Sequence, residues 1–333
     1  MKKVIFILSV LFFMFSNAGF GEKLTTLTEV MKPNGLVVDD EWIYVTEGTA
    51  IFIYAKKDLT MKKKFGKAGE GPGEFLTFVD VNPQEDHLII NSLGKISYFT
   101  RDGVFRKELR ARGGISNTVF LPLEKGFVGL GFTQEEGIQY ATVNFYDQKL
   151  DKGKELYRMK TPAQQSGKIE FPPKSFVYQV LDNRIYVIGK EGFTIDVLDH
   201  TGNLHFSIGQ KNYKRRKFTA EDEKQFRDAL KLRMRGTYEQ FKNRLAFPDY
   251  FPEILSFFAA DKKLYVATWK RDDGKTEFFI FDPKGKLIKH VFIPLAFQDI
   301  LQPFPAAIKG GQLYQLIENE DEEWQLHASP IEY

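Results

Sequence analysis

In a chain of 333 residues without cysteine, chemistry has to come from other side chains. The missing thiols exclude disulfides, thiolate metal sites, a cysteine nucleophile and a lipid-bearing cysteine behind a leader. The five histidines are His87, His200, His205, His290 and His327, and none belongs to an HxH or HExxH pair. A zinc site would have to be gathered from scattered positions. No GxSxG spells an exposed serine nucleophile. Calcium needs only oxygen ligands, and Glu47, Glu74, Asn117 and Glu318 are the candidates for it; no other cofactor is expected. The glycine-rich run from Gly66 to Gly73 has neither GxGxxG nor GxxxxGK(S/T) spacing, so it is no phosphate cradle. No catalytic residue is assigned.

The elements that must position these groups recur. A short apolar run, a polar turn and a second strand appear six times: Gly35 to Val38 with Trp42 to Val45, Phe78 to Val81 with Leu88 to Ile90, Thr118 to Leu121 with Phe127 to Leu130, Phe176 to Val180 with Ile185 to Ile188, Leu255 to Ala259 with Leu264 to Ala267, and Ala306 to Ile308 with Leu313 to Leu316. A third strand follows each of the first five, as in Ile51 to Tyr54 or Phe278 to Phe281, and its period-two alternation marks a half-buried strand. Arg101-Asp102-Gly103, Asp199 to Gly202 and Asp282 to Gly285 then supply turn residues that tolerate positive φ before a fourth strand. Four strands per unit, at about 40 to 50 residues, is propeller-blade spacing. The expected fold is all-β: a six-bladed β-propeller occupying residues 19–333. The sixth unit ends after three strands, so the segment Lys23 to Val30 is expected to supply its outer strand and close the ring, removing a free sheet edge.

Between blades four and five the period stretches. Thr219 with Asp222 has capping-box spacing, and Phe226, Leu230, Met234, Phe241 and Leu245 recur at helical intervals. A helical insertion over about 212–246, broken near Gly236, is the expectation, ending where Phe247-Pro248 and Phe251-Pro252 stop a helix. It is strongly basic, and the acidic stretch Glu318 to Glu323 is a candidate counterweight.

The stretch Phe65 to Phe75, followed by Leu93-Gly94-Lys95-Ile96 and Arg101-Asp102-Gly103, resembles an NHL repeat, in particular those of the secreted six-bladed propellers of bacteria. Phe247-Pro248-Asp249-Tyr250-Phe251-Pro252 is similar to the corresponding segment of such propellers. Physically, Gly69, Gly71 and Gly73 would let the chain reverse between blades while Phe75 plugs the gap. The resemblance implies a closed ring with a site at the channel mouth; some propellers of this kind are metal-dependent lactonases or lyases.

Residues 1–18 read as a signal peptide: Lys2 and Lys3, an apolar run from Val4 to Phe15 broken by Ser9, then Ser16-Asn17-Ala18 before a cut. The run is too short to span a bilayer. A periplasmic or secreted protein is expected, not a lipoprotein. With 47 basic and 44 acidic residues, the charge balance offers no footprint for nucleic acid. On the strand assignment, the mouth collects Asn34, Glu47, Glu74, Asn117, Lys174, Lys190, Glu191, Trp269, Arg271 and Glu318, a polar set with one exposed tryptophan. It suits a polar small molecule, a glycan or a protein. The function expected is therefore an exported binding or interaction module whose mouth is rimmed by the insertion. The alternative is a divalent-cation-dependent hydrolase or lyase acting at the same mouth.

Overall fold

Each apolar run pairs with the strands that follow it into one antiparallel sheet, and six such sheets stand in a ring. The computed structural model describes residues 21–112, 119–161, 167–234 and 236–332. The chain begins with β1 (Glu22–Thr26). Blade 1 is β2 (Gly35–Val38), β3 (Trp42–Glu47), β4 (Ala50–Ala55) and β5 (Met61–Phe65). Blade 2 is β6 (Asp80–Pro83), β7 (His87–Ser92), β8 (Lys95–Thr100) and β9 (Phe105–Arg110). Blade 3 is β10 (Phe120–Leu123), β11 (Gly126–Glu135), β12 (Ile138–Tyr146) and β13 (Lys152–Lys160). A two-residue strand, β14 (Ile169–Glu170), precedes blade 4: β15 (Tyr178–Leu181), β16 (Arg184–Ile188), β17 (Thr194–Leu198) and β18 (Leu204–Gly209). The insertion holds α1 (Ala220–Arg233), α2 (Tyr238–Phe241) and β19 (Leu245–Ala246). Blade 5 is β20 (Ser256–Ala260), β21 (Lys263–Asp272), β22 (Lys275–Phe281) and β23 (Leu287–Ile293). A small hairpin, β24 (Phe297–Asp299) with β25 (Gln302–Pro303), leads to blade 6: β26 (Ala306–Lys309), β27 (Gln312–Glu318) and β28 (Trp324–Pro330).

Blade 6 is completed by the amino-terminal strand. β1 pairs antiparallel with β28, from Glu22 opposite Ala328 to Thr26 opposite Gln325. The seam is sealed by an apolar cluster drawn from both ends of the chain, with Leu27 and Val30 against Leu36 and Val45 on one side and Leu316, Trp324 and Leu326 on the other. The Trp324 Nε1 donates to the Met31 carbonyl at 2.8 Å.

The cores lie between neighbouring blades. Phe75 is fully buried among Tyr44, Ile51 and Ile53 of blade 1 and Leu88, Ile90 and Phe99 of blade 2, where the glycine loop was expected to plug. The turns joining third and fourth strands behave as their sequences require. Gly103, Gly202 and Gly285 have φ of 81°, 85° and 88°, and each pairing shows a bulge just before the turn. That is the extra residue a positive-φ glycine admits.

Antiparallel order places the turns between second and third strands, and the connections between blades, at one end of the ring. This end is the mouth, and the innermost strands β2, β6, β10, β15, β20 and β26 line the channel.

Candidate functional site

On one half of the mouth the connections between blades are bound together. Helix α1 starts as its residues dictate: the Thr219 hydroxyl accepts from the Asp222 amide while the Asp222 carboxylate accepts from the Thr219 amide at 2.9 Å. Arg216 pairs with the same carboxylate. Gly236, at φ 74°, stands between α1 and α2, so the break falls where expected. β14 pairs in parallel with β19, stitching the blade 3 to 4 connection to the insertion. At the other end of α1, Arg233 holds Asp299 at 2.8 Å and donates to Gln302, reaching the blade 5 to 6 connection.

Under this cover lies an aromatic cluster. Phe226 of α1 is fully buried beside Phe171, Phe218, Phe247 and Phe251. Phe251 stacks on Trp269, centroids 4.9 Å apart. The insertion is thus part of the core rather than an appendage rimming the mouth, and Trp269, expected exposed, is only 5% accessible. Counter-charges for its basic residues come from Asp222, Glu223, Asp299 and Glu253. No ion pair among the described residues links the insertion to Glu318 to Glu323.

A buried carboxylate, Glu277 on β22, ties this region to blade 5 and was not singled out in the sequence. It accepts from Thr268 at 2.7 Å and from the Tyr213 hydroxyl at 3.0 Å, and faces His290 Nε2 at 2.9 Å. Burial pushes the Tyr213 hydroxyl well above its ordinary range.

The expected mouth residues do not converge. The Glu47 carboxylate accepts from the Met31 and Lys32 amides, and the Asn34 side chain accepts from the Gly48 amide and donates to Thr46. Both therefore fasten the blade 6 to 1 connection to the β3–β4 turn. Glu74 accepts from the Gly71 amide and pairs with Lys67 at 2.8 Å, which holds its carboxyl below the usual range. Gly69 beside it holds a φ of 153°, and a Cβ there would displace the Glu74 carboxylate, whose Oε2 it would meet at 2.1 Å. Lys95, buried, donates to the Glu74 carbonyl and to Glu108. Lys174 is half-buried with no partner among the described residues, and desolvation lowers its ammonium pKa despite nearby Glu253. Lys190 lies over the Tyr157 ring. Arg271 lies 3.6 Å above the Phe297 centroid; walled by protein on one side and near Arg216, it is pulled down to about 10. Glu191 and Glu318 are exposed, and Asn117 lies outside the described residues. Among the described residues, no three His, Asp or Glu side chains gather where a metal could be held.

Among the described residues the other half of the mouth carries no such cover, and its chemistry was read in the sequence only as part of an apolar strand. Met31, Leu76, Phe78, Leu93 and Phe132 stand exposed on mouth-side connections and turns or the hairpin of blade 3, with Phe78 67% accessible. At the mouth end of β6, the Asp80 carboxylate makes no hydrogen bond or ion pair among the described residues. Water reaches it, but the surrounding protein raises its carboxyl pKa above the usual range. Burial raises the hydroxyl pKa of nearby Tyr178, to which the Asp80 charge adds only slightly, and that hydroxyl donates to the Val119 carbonyl at 2.7 Å. Asp80, Thr77, Phe78, Asn91, Ser92, Leu93 and Val119 line a pocket of about 190 Å³. The signal available in the sequence was a charged residue interrupting an innermost strand.

Solved structures share this architecture. A candidate exported protein from Bacteroides fragilis superposes with a TM-score of 0.55 over 92% of this chain and 93% of that chain, at 12% identity. The ring is what is shared. A member of the DUF4221 family from Bacteroides vulgatus (TM-score 0.44, 9% identity, covering 94% and 96%) and a luciferin-regenerating enzyme (TM-score 0.44, 13% identity, covering 93% and 94%) are more distant. No family model matches the chain, and no curated protein matches it. Among the described residues, no helix is long and apolar enough to cross a membrane.

Proposed function

We propose that this protein is an exported recognition module, a rigid ring that presents the open half of its mouth to a polar small molecule, a glycan or a protein. The observation that carries this is the pocket at blade 2. There Asp80, whose carboxylate has no partner among the described residues, sits beside exposed Phe78 and Leu93, whereas Glu47 and Glu74 are committed to backbone amides and to Lys67. A carboxylate whose charged form the surrounding protein disfavours is a cost to folding, and functional sites are where such costs are kept. Concave surfaces with an apolar lining and a few convergent polar groups are the usual form of a binding site.

An exported location follows from the leader pattern in residues 1–18, and the candidate exported protein from B. fragilis is consistent with it. Membership of the NHL-like group rests on the glycine loop and the strands after it.

The test is binding of the mature chain to glycan and peptide arrays, wild type beside a Phe78→Ser/Leu93→Ser double variant. Loss of a specific signal with an unchanged melting temperature is the expected result. An unchanged signal would place recognition elsewhere on the ring.

A further inference from the structure

The covered half of the mouth carries charge that its packing does not use. We propose that the loop leading into α1, residues 211–217, docks an acidic peptide segment of a partner protein, with Lys211, Lys214 and Lys217 meeting its carboxylates beside Tyr250. This surface is separate from the blade 2 pocket and does not depend on it.

The loop reads Lys-Asn-Tyr-Lys-Arg-Arg-Lys, five cations in seven residues. Its side chains divide into two sets, and the first fastens it to the ring. The Tyr213 hydroxyl donates to Glu277 at 3.0 Å, and the ring packs against Phe193 and Phe279 with centroids 5.0 and 5.9 Å away. Arg216 pairs with Asp222 and lies 4.4 Å above the Phe251 centroid, while its carbonyl accepts from the Phe251 amide at 3.0 Å. Lys217 bridges to Tyr250 through the backbone, and the next amide, of Phe218, donates to the Asp249 carbonyl at 2.9 Å. The second set, Lys211, Lys214, Arg215 and Lys217, is exposed. A backbone already fixed in this way loses little conformational freedom when a partner binds.

The exposed set is short of counter-charge. Among the described residues the ammonium groups of Lys211, Lys214 and Lys217 make no hydrogen bond or ion pair. Arg215 lies 5.0 Å over the Tyr250 ring and reaches Glu253 only at 3.8 Å. Lys270 of β21 extends the strip: it lies 4.4 Å above the Tyr213 centroid and 3.6 Å from Glu277, a carboxylate that His290 also holds. The helix that follows is different, since Lys224, Arg227 and Arg233 each meet a carboxylate, of Asp228, Glu223 and Asp299. One surface lysine without a partner is ordinary. Three of them on one anchored loop, with Arg215 and Lys270 alongside, raise the local potential and draw in anions.

The neighbours decide which kind of anion. Two carboxylates, Asp249 and Glu253, stand within this basic surface. A densely charged polymer would press anionic groups against both, whereas a peptide can set its acidic side chains on the lysines and its neutral groups elsewhere. Tyr250 is 43% exposed, and an aromatic ring among cations offers contact area to a side chain lying between the acidic ones. Lysine, a mobile point charge, meets carboxylates without the fixed geometry that an arginine fork demands.

The experiment uses the mature full chain and a rhodamine-labelled peptide, Glu-Glu-Tyr-Glu-Glu, followed by fluorescence polarisation in about 50 mM salt. Saturable binding is expected, at least about ten-fold weaker when glutamine replaces the glutamates and several-fold weaker at about 150 mM salt. Lys211→Glu/Lys214→Glu/Lys217→Glu should lose at least about ten-fold in affinity with an unchanged melting temperature, and the matching arginine variant should keep it. Lys57→Glu/Lys63→Glu/Arg106→Glu, an equal change of net charge on blades 1 and 2, should bind as wild type. Equal loss in the two glutamate variants would reduce the effect to net charge and overturn the assignment. So would no binding at about 1 mM peptide, or displacement by tripolyphosphate at lower concentration than by unlabelled peptide. Phe78→Ser/Leu93→Ser should leave peptide binding intact; loss there would move the peptide to the blade 2 side of the mouth and overturn the role of the loop.

Discussion

The two halves of the mouth use their apolar residues in opposite ways. Around blades 4 to 6, Phe171, Phe218, Phe226, Phe247, Phe251 and Trp269 face one another beneath α1, and the covering segments are tied by Arg233, β14 and β19. Around blades 1 to 3, Phe78, Leu76, Leu93 and Phe132 face solvent, beside the Asp80 carboxylate, which has no partner among the described residues. One half has spent its interactions on stability. The other has kept them available. Because both halves stand on the same repeating blade, the difference lies in the connections between blades, which is where a rigid scaffold carries its variation.

Several substitutions would break or sharpen that contrast. The largest effect is expected from Phe226→Ala, which opens a cavity at the centre of the aromatic cluster. Removing a fully buried phenylalanine costs about 3–5 kcal/mol. Chemical denaturation should show that loss, and limited proteolysis should show new cleavage between residues 211 and 244; an unaltered protein would mean that the insertion is not built into the core. Lys95→Met comes next. It strips the buried partner from Glu108 and frees the Glu74 carbonyl, at a cost of about 3 kcal/mol because Arg110 still holds Glu108. Thr219→Ala removes the cap of α1 and should cost about 1 kcal/mol, read as faster amide exchange in the first turn of the helix.

On the open half the effects on stability should be small or reversed. Phe78→Ser, at a 67% exposed position, should stay within about 0.5 kcal/mol of wild type. Asp80→Asn should raise stability near pH 7. The carboxyl has a folded-state pKa above its unfolded value, so the native state binds the proton more tightly. Stability from this group is present in acid and lost as pH rises through the window above the ordinary carboxylate range. The gain from Asp80→Asn should accordingly fade as pH is lowered toward 4, the ordinary aspartate range being about 3.9. A variant less stable than wild type at pH 7 would show that Asp80 has a structural partner.

Much of the fold is legible in the sequence because it is written in local terms. Alternation marks strands such as Ile51 to Tyr54, the turn glycines Gly103, Gly202 and Gly285 mark hairpins, and a sixth unit one strand short predicts that the amino terminus completes it. The Thr219 and Asp222 pair marks the start of α1 within a residue. The site is less legible because its members are defined by what surrounds them. Trp269 falls at the mouth end of a strand, where exposure is the natural expectation, but Phe226 of the insertion and Phe251 just beyond it pack against its ring. Glu47 looks like a free ligand until the Met31 and Lys32 amides fold back onto it. Asp80 is conspicuous for the partner it lacks among the described residues, and no spacing rule reports a missing partner.

The pairing of β1 with β28 also governs when the molecule can become whole. Glu22 and Ala328 are neighbours although some 300 residues separate them along the chain. Five blades can each form as their own strands become available, since contacts within a blade are close in sequence. Blade 6 must wait for both the earliest and the latest segments described, and with it waits the cluster of Leu27, Leu36 and Trp324 that seals the ring. Closing so long a loop is slow, but its entropic penalty grows only logarithmically with length. A chain with either end still held therefore carries an unsealed seam, and it becomes a ring when both ends are free to meet.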